Sequence, residues 1–227
     1  KPSSAASDVY KRQIVGLVGS NNLSTAIIIL GIGVILIFAA SPRYIQFAAL
    51  GGAGIGFIAI FLAAESYRLE RLAIWREPEK YEKGFQTIQG LYAIGSGGLF
   101  GRGIGNSIQK LGFVPEAQND MIFSIICEEM GLTGAIILIL IFALLLWRLC
   151  VISMNCQELS GAMIAAGIMG HLAIQVILNI AVVTNTIPNT GITLPFISYG
   201  GTSIVFLLGE MGLALNVSRQ KNNPPTR

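Results

Sequence analysis

Four carboxylates lie within the stretch "FVPEAQNDMIFSIICEE" at 113–129: Glu116, Asp120, Glu128 and Glu129. Such crowding is unusual in a chain that is 53% hydrophobic and only 12% charged. Asp120 is the most informative of the four. Pro115 closes the loop before it, Asn119 is a good N-cap, and the pattern predicts Asp120 as the first residue of the helix "DMIFSIICEEMG". At about 100° per residue, Asp120, Ser124 and Cys127 share one face, with Glu128 at its edge and Glu129 nearly opposite. The helix dipole favours a carboxylate there by ~0.3–1 kcal/mol, so a plain capping acid is one reading. The other reading is chemical. An ionised Asp can take a proton from a hydroxyl or hold a divalent ion, while dipole and burial pull its pKa in opposite directions. The residues alone leave both readings open.

Positive charge and glycine lie just upstream. Gly95, Gly97, Gly98, Gly101, Gly103 and Gly105 alternate with Arg102 and then Lys110. The run matches neither a dinucleotide fingerprint nor a P-loop. Its backbone N–H groups can approach an anion closely, and a flexible hinge is the competing use. Further along, His171, Gln175 and Asn179 are spaced i, i+4, i+8 within an apolar run and form a polar stripe. Such a stripe must face a bundle interior or a wet cavity, and helix–helix hydrogen bonding is the expected use of His171. Glu210 sits in the last apolar run without an evident partner. Cys127, Cys150 and Cys156 form no C-x-x-C pair and read as packed thiols.

The elements that must hold these groups are membrane helices. Mean hydropathy is +0.67, and five apolar runs approach the roughly 20 residues that a bilayer crossing needs. They are 23–40, 44–64, 130–147, 161–182 and 196–216, an all-α polytopic membrane architecture. Gly52 and Gly56 in the second run have the spacing of a close helix approach, and "SPRY" with Pro42 makes a tight turn before it. Arg43, Arg148, Arg219, Lys221 and Arg227 fall on one side, which the positive-inside rule assigns to the cytoplasm. The segment 65–129 then faces outward and carries sixteen of the 27 charged residues. Within it, 65–76 alternates charge with Leu69, Leu72, Ile74 and Trp75, the pattern of an interfacial helix that can also meet lipid phosphates. The rest of the segment reads as a long loop, a length that is uncommon unless the loop has a task. "PNTGITLPFISYGGTS" at 188–203 begins with Pro188 and breaks the last helix at Pro195 and Gly200–Gly201. Residues 1–13 are polar, basic and unlike a signal peptide, and read as a non-native leader. A net charge of +3 is too small to argue for nucleic acid.

Three stretches, "NNLSTA" (21–26), "LYAIGSGGLFGRGIGNSIQKLGFVPEAQNDMIFSIICEEMGLTGA" (91–135) and "IPNTGITLPFISYGGTS" (187–203), resemble the SEDS family of FtsW, RodA and SpoVE, and most closely FtsW. The resemblance covers residues 14–227. It implies a SEDS-type bundle of about ten spans, of which about five are present, with a large extracellular loop. It also implies a peptidoglycan glycosyltransferase that polymerises lipid II at the outer face of the bacterial cytoplasmic membrane during cell division. By the same resemblance the family's essential aspartate falls on Asp120, which would activate the acceptor hydroxyl or orient it with a divalent cation, Mg or Mn. Arg102, Lys110, Gly97 and Gly98 would meet the pyrophosphate. Glu116, Asn119, Ser198 and Tyr199 belong to motifs on the substrate side. Some members carry lysine where this chain has Thr190, so charge there would have to come from elsewhere. A class B penicillin-binding transpeptidase and other divisome membrane proteins are the implied partners. A lipid II flippase and a non-catalytic divisome scaffold are the rival functions, and the chain without further spans is expected to be inert.

Overall fold

The computed structural model describes residues 23–40 and 66–220. The expected span at 44–64, with its Gly52–Gly56 pair and the Pro42 turn, lies outside the described residues, as do the leader and the tail beyond 220. The described elements are helical: α1 (Leu23–Ala40), α2 (Ser66–Arg76), α3 (Phe85–Gly97), α4 (Ile122–Asn155), α5 (Leu159–Val183) and α6 (Gly201–Gln220), with short 3-10 turns at Pro78–Lys80, Glu82–Gly84 and Gln109–Leu111. Helices α4, α5 and α6 are long and apolar enough to cross a membrane.

Helix α1 coincides with the first expected span and packs on α5. Small residues make that approach possible. A side chain at Gly170 would meet Ile35 at 2.7 Å, and Gly31 faces Ile174 across the same seam. The third expected span, 130–147, is longer at both ends, because α4 runs 34 residues. The last helix begins at Gly201 rather than 196. Residues 184–200 form an irregular segment, whose carbonyls at Ile192 and Asn185 accept from Asn179 of α5 and Trp75 of α2. Phe142, Val176, Val183 and Leu194 lie in one buried apolar cluster that joins α4, α5 and this segment, and Leu149, Leu172, Leu207 and Ala214 lie in a second.

Two expectations for the outer segment need correction. Residues 85–97 are helical, not loop. Glycines at 90, 95 and 97 lower the intrinsic helix propensity, but packing overrides it: Gly90 faces Met121 and Ser124, and a Cβ on Gly97 would overlap the carbonyl of Cys127. The helix expected from Asp120 begins instead at Ile122, with Met121 in the N-cap position and no side-chain cap.

Helix α4 is interrupted at Gly131, whose φ of 67° and ψ of −166° leave the helical range. The break is satisfied from outside. The amides of Arg102 and Gly103 donate to the carbonyls of Glu128 and Glu129 at 3.0 and 2.9 Å. The amides of Leu132 and Thr133 donate to the carbonyls of Gly98 and Leu99 at 2.9 and 3.1 Å. Those four α4 groups would otherwise bond to one another along the helix ladder. The glycine turn therefore caps the outer piece of α4 at its C-terminus and the spanning piece at its N-terminus.

Candidate active site

Asp120 is the last but one residue before α4, only 8% exposed, at a junction of four elements. From α3, the Gln86 side-chain amide donates to Asp120 Oδ1 at 3.2 Å and to the carbonyl of Pro115 at 3.3 Å. Its own oxygen accepts from the Asn189 amide at 3.4 Å. From α5, Asn179 donates to the Asp120 backbone carbonyl at 2.8 Å and to that of Ile192 at 2.7 Å. From 187–199, Ser198 Oγ donates to the Asn119 carbonyl at 2.6 Å and accepts from the Leu194 amide at 2.7 Å. The Tyr199 amide bonds the Gln118 carbonyl at 2.8 Å. Burial raises the pKa of Asp120 above the ordinary 3.8, a nearby Glu116 adds to the rise, and hydrogen bonds from its own backbone, Gln86 and Asn189 oppose it.

The local chain explains why the helix starts late. Glu116 holds a left-handed φ of 53°, and the Asn119 amide closes a turn onto the Glu116 carbonyl at 2.9 Å. The Asn119 side chain turns back to the Glu116 carboxylate instead of capping α4. Asp120 likewise spends its carboxylate on Gln86 rather than on the helix amides.

Arg102, Lys110, Gly97 and Gly98 gather around a different pair of acids. Glu128 is fully buried. It accepts from Ser107 Oγ at 2.5 Å and from the amides of Ile108 and Gln109 at 3.2 and 3.3 Å, and lies 3.5 Å from the Arg102 guanidinium. Lys110 Nζ is 2.7 Å from both Glu129 Oε1 and the carbonyl of Gly105. The amides of Gly101, Arg102 and Gly103 all donate to protein carbonyls, so at those residues the glycine turn offers close backbone packing instead of an anion cradle. A phosphate arriving here would have to compete with two glutamates for both cations.

Of the residues expected on the substrate side, Glu116, Asn119, Asp120, Ser198 and the backbone of Tyr199 come together, while the Tyr199 side chain is 75% exposed. Gln86, Asn189 and Ser107 carried no signal in the sequence, since a lone amide or hydroxyl in a polar loop is ordinary. Asn179 was visible as the outer end of the polar stripe. The inner end, His171, bonds Glu210 on α6 through Nδ1, at 2.9 and 3.0 Å from the two carboxylate oxygens, so the His does join helices and Glu210 has its partner.

A divalent cation at Asp120 would draw on few protein carboxylates. Among the described residues no group of three or more His, Cys, Asp or Glu side chains converges to hold one, and the carboxylates of Glu116, Glu128 and Glu129 are already hydrogen-bonded or paired.

An all-helical, multi-pass membrane protein, with a long connecting segment folded into a buried carboxylate site, is the class these features define. The FtsW/RodA/SpoVE family model, described as "Cell cycle protein", matches residues 9–223, and the chain belongs to that family. It is 45% identical over 201 residues to stage V sporulation protein E of Bacillus subtilis, covering 87% of this chain and 55% of that protein. To a probable peptidoglycan glycosyltransferase FtsW of Thioalkalivibrio sp. it is 41% identical over 207 residues, covering 89% and 52%. It superposes on a chain from a solved peptidoglycan synthase complex with a TM-score of 0.75 at 26% identity, covering 95% of this chain and 61% of that one. The rod shape determining protein RodA of Thermus thermophilus gives a TM-score of 0.61 at 26% identity, covering 96% and 56%. The chain spans about half the length of the relatives it matches.

Proposed function

We propose that the whole protein is a peptidoglycan glycosyltransferase that polymerises lipid II into glycan strands at the outer face of the cytoplasmic membrane, in cell division. The observation that carries the reading is Asp120: a buried carboxylate with an elevated pKa, held from four sides at the outer end of the bundle. The 4-hydroxyl of one disaccharide attacks the anomeric carbon of another, and its proton passes to the Asp120 carboxylate. The bond from that carbon to the lipid pyrophosphate breaks, and undecaprenyl pyrophosphate leaves. A carboxylate with a raised pKa is a stronger base than an exposed one, which suits this step. Arg102 and Lys110 are the nearest sequence candidates for the leaving group's charge, provided Glu128 and Glu129 share them. Mg or Mn enters the proposal only as a counter-ion brought by the substrate's own phosphates, since such ions keep most of their waters and bind few protein groups. A class B penicillin-binding transpeptidase and other divisome membrane proteins are the proposed partners.

The test is conversion of labelled lipid II to polymer on a gel, using full-length protein with and without Asp120→Asn. Loss of at least ~100-fold, the lower end of a general base's contribution, is the expected result. Normal polymer from the mutant would leave Asp120 a structural acid and bring forward the flippase or scaffold readings.

A further inference from the structure

We propose that Gln86 is a positioning residue for Asp120, and that Asn189 sets Gln86 in turn; this rests on the assignment of Asp120 as the base. The argument starts with which way the Gln86 amide must point. Its nitrogen faces two acceptors, Asp120 Oδ1 and the Pro115 carbonyl, and its oxygen faces one donor, the Asn189 amide. Turning the amide over would set oxygen against two oxygens and nitrogen against nitrogen. One orientation therefore satisfies all three contacts. A bond from α3 to Asp120 Oδ1, with a second to the carbonyl five residues earlier, fixes the carboxylate relative to its own loop.

Asn189 is held as well. Its side-chain oxygen accepts from the Gly191 amide at 2.9 Å, and its backbone carbonyl accepts from Arg71 on α2 at 3.2 Å. Four residues earlier, the Asn185 carbonyl accepts from the Trp75 indole at 2.9 Å. Helix α2 thus grips the segment that orients Gln86, and Gln86 orients the carboxylate. A nucleophile and base misplaced by about 1 Å lose on the order of a hundredfold in rate, so the chain of contacts has kinetic leverage without touching substrate.

The test uses full-length protein and labelled lipid II, with Asp120→Asn, Gln86→Met, Gln86→Glu and Asn189→Ala compared with wild type after each melts as a folded species. Met and Glu nearly preserve the volume of Gln; Met cannot donate to Asp120, and Glu can do so only when protonated. Both are expected to lower kcat by about ten- to a hundredfold while KM stays within about threefold, and Asn189→Ala is expected to fall between them and wild type. A side chain that only fills space would tolerate at least one of the two isosteres. Wild-type kcat in Gln86→Met, with Asp120→Asn inactive, overturns the positioning role and leaves the function standing. Full activity of Asp120→Asn overturns the function itself, and this inference with it. If the Gln86 variants do not fold, Asn189→Ala at the half-buried partner decides: an unchanged kcat counts against the inference, a reduced kcat at constant KM supports it.

Discussion

At the residue scale, two buried carboxylates do opposite work. Glu128 is surrounded by donors and holds residues 102–110 against α4; removing it strands the Ser107 hydroxyl, two backbone amides and the Arg102 guanidinium. Glu128→Ala is expected to destabilise the protein by about 3–5 kcal/mol, the usual cost of breaking a buried charged cluster, read as a lower melting temperature in detergent. Asp120 is buried with fewer compensating donors, and its pKa rises. The sign follows directly. With the native pKa above the unfolded value, Asp120 favours folding most below its unfolded pKa, and that contribution is lost as pH rises through the native one. Asp120→Asn, which cannot ionise, is therefore expected to gain in melting temperature relative to wild type as pH rises, while losing activity. The acid limb of the rate profile, where the base protonates, is expected above pH 3.8, and initial rates measured across pH locate it. Sequence reading singled out Asp120 as the acid to watch, but not its setting. Gln86 lies 34 residues away in the chain, and nothing in its own neighbourhood marks it as that carboxylate's donor.

Helices read from apolar length were found where length was the dominant signal, as α1 and α5 show. They were misplaced where tertiary contacts decided. The outer start of α4 moved because Asn119 and Asp120 found partners other than the helix amides. Helix α3 escaped notice because its glycines look like loop until α4 is laid beside it. The same glycines yield a prediction for this element. At Gly101, with φ of 77°, an added Cβ would overlap the Glu129 carbonyl, and at Gly131, with φ of 67°, it would run into the backbone of Leu99 and Gly101. Alanine at either site carries both a strained backbone and a steric overlap, and is expected to cost more than the ~1 kcal/mol that a helix-interior glycine would gain. Loss of the folded species by size-exclusion chromatography would register it, and a melting point equal to wild type would refute it.

Seen whole, the molecule concentrates sixteen of its 27 charged residues in the segment 65–129 and also places an ionisable pair between α5 and α6. His171 on α5 and Glu210 on α6 each fall near the middle of a span, where an unpaired ionisable group is costly. Exchanging Glu210 for Gln is expected to be tolerated better than for Leu, because Gln can still bond His171; relative yields of folded protein from membranes measure the difference. Both residues were conspicuous in the sequence, yet their pairing was not, since it depends on how α5 and α6 face each other.

The break in α4 also changes what counts as a unit of this protein. Residues 97–103 and 128–133 complete each other's backbone bonding at the interruption of α4. Neither stretch is interchangeable alone. Chimeras between relatives that cut between 103 and 128 would join one partner's ends to another's caps, whereas those that exchange 85–133 as a block carry the whole joint with them. The natural seam of this molecule runs across the helix rather than along the loop.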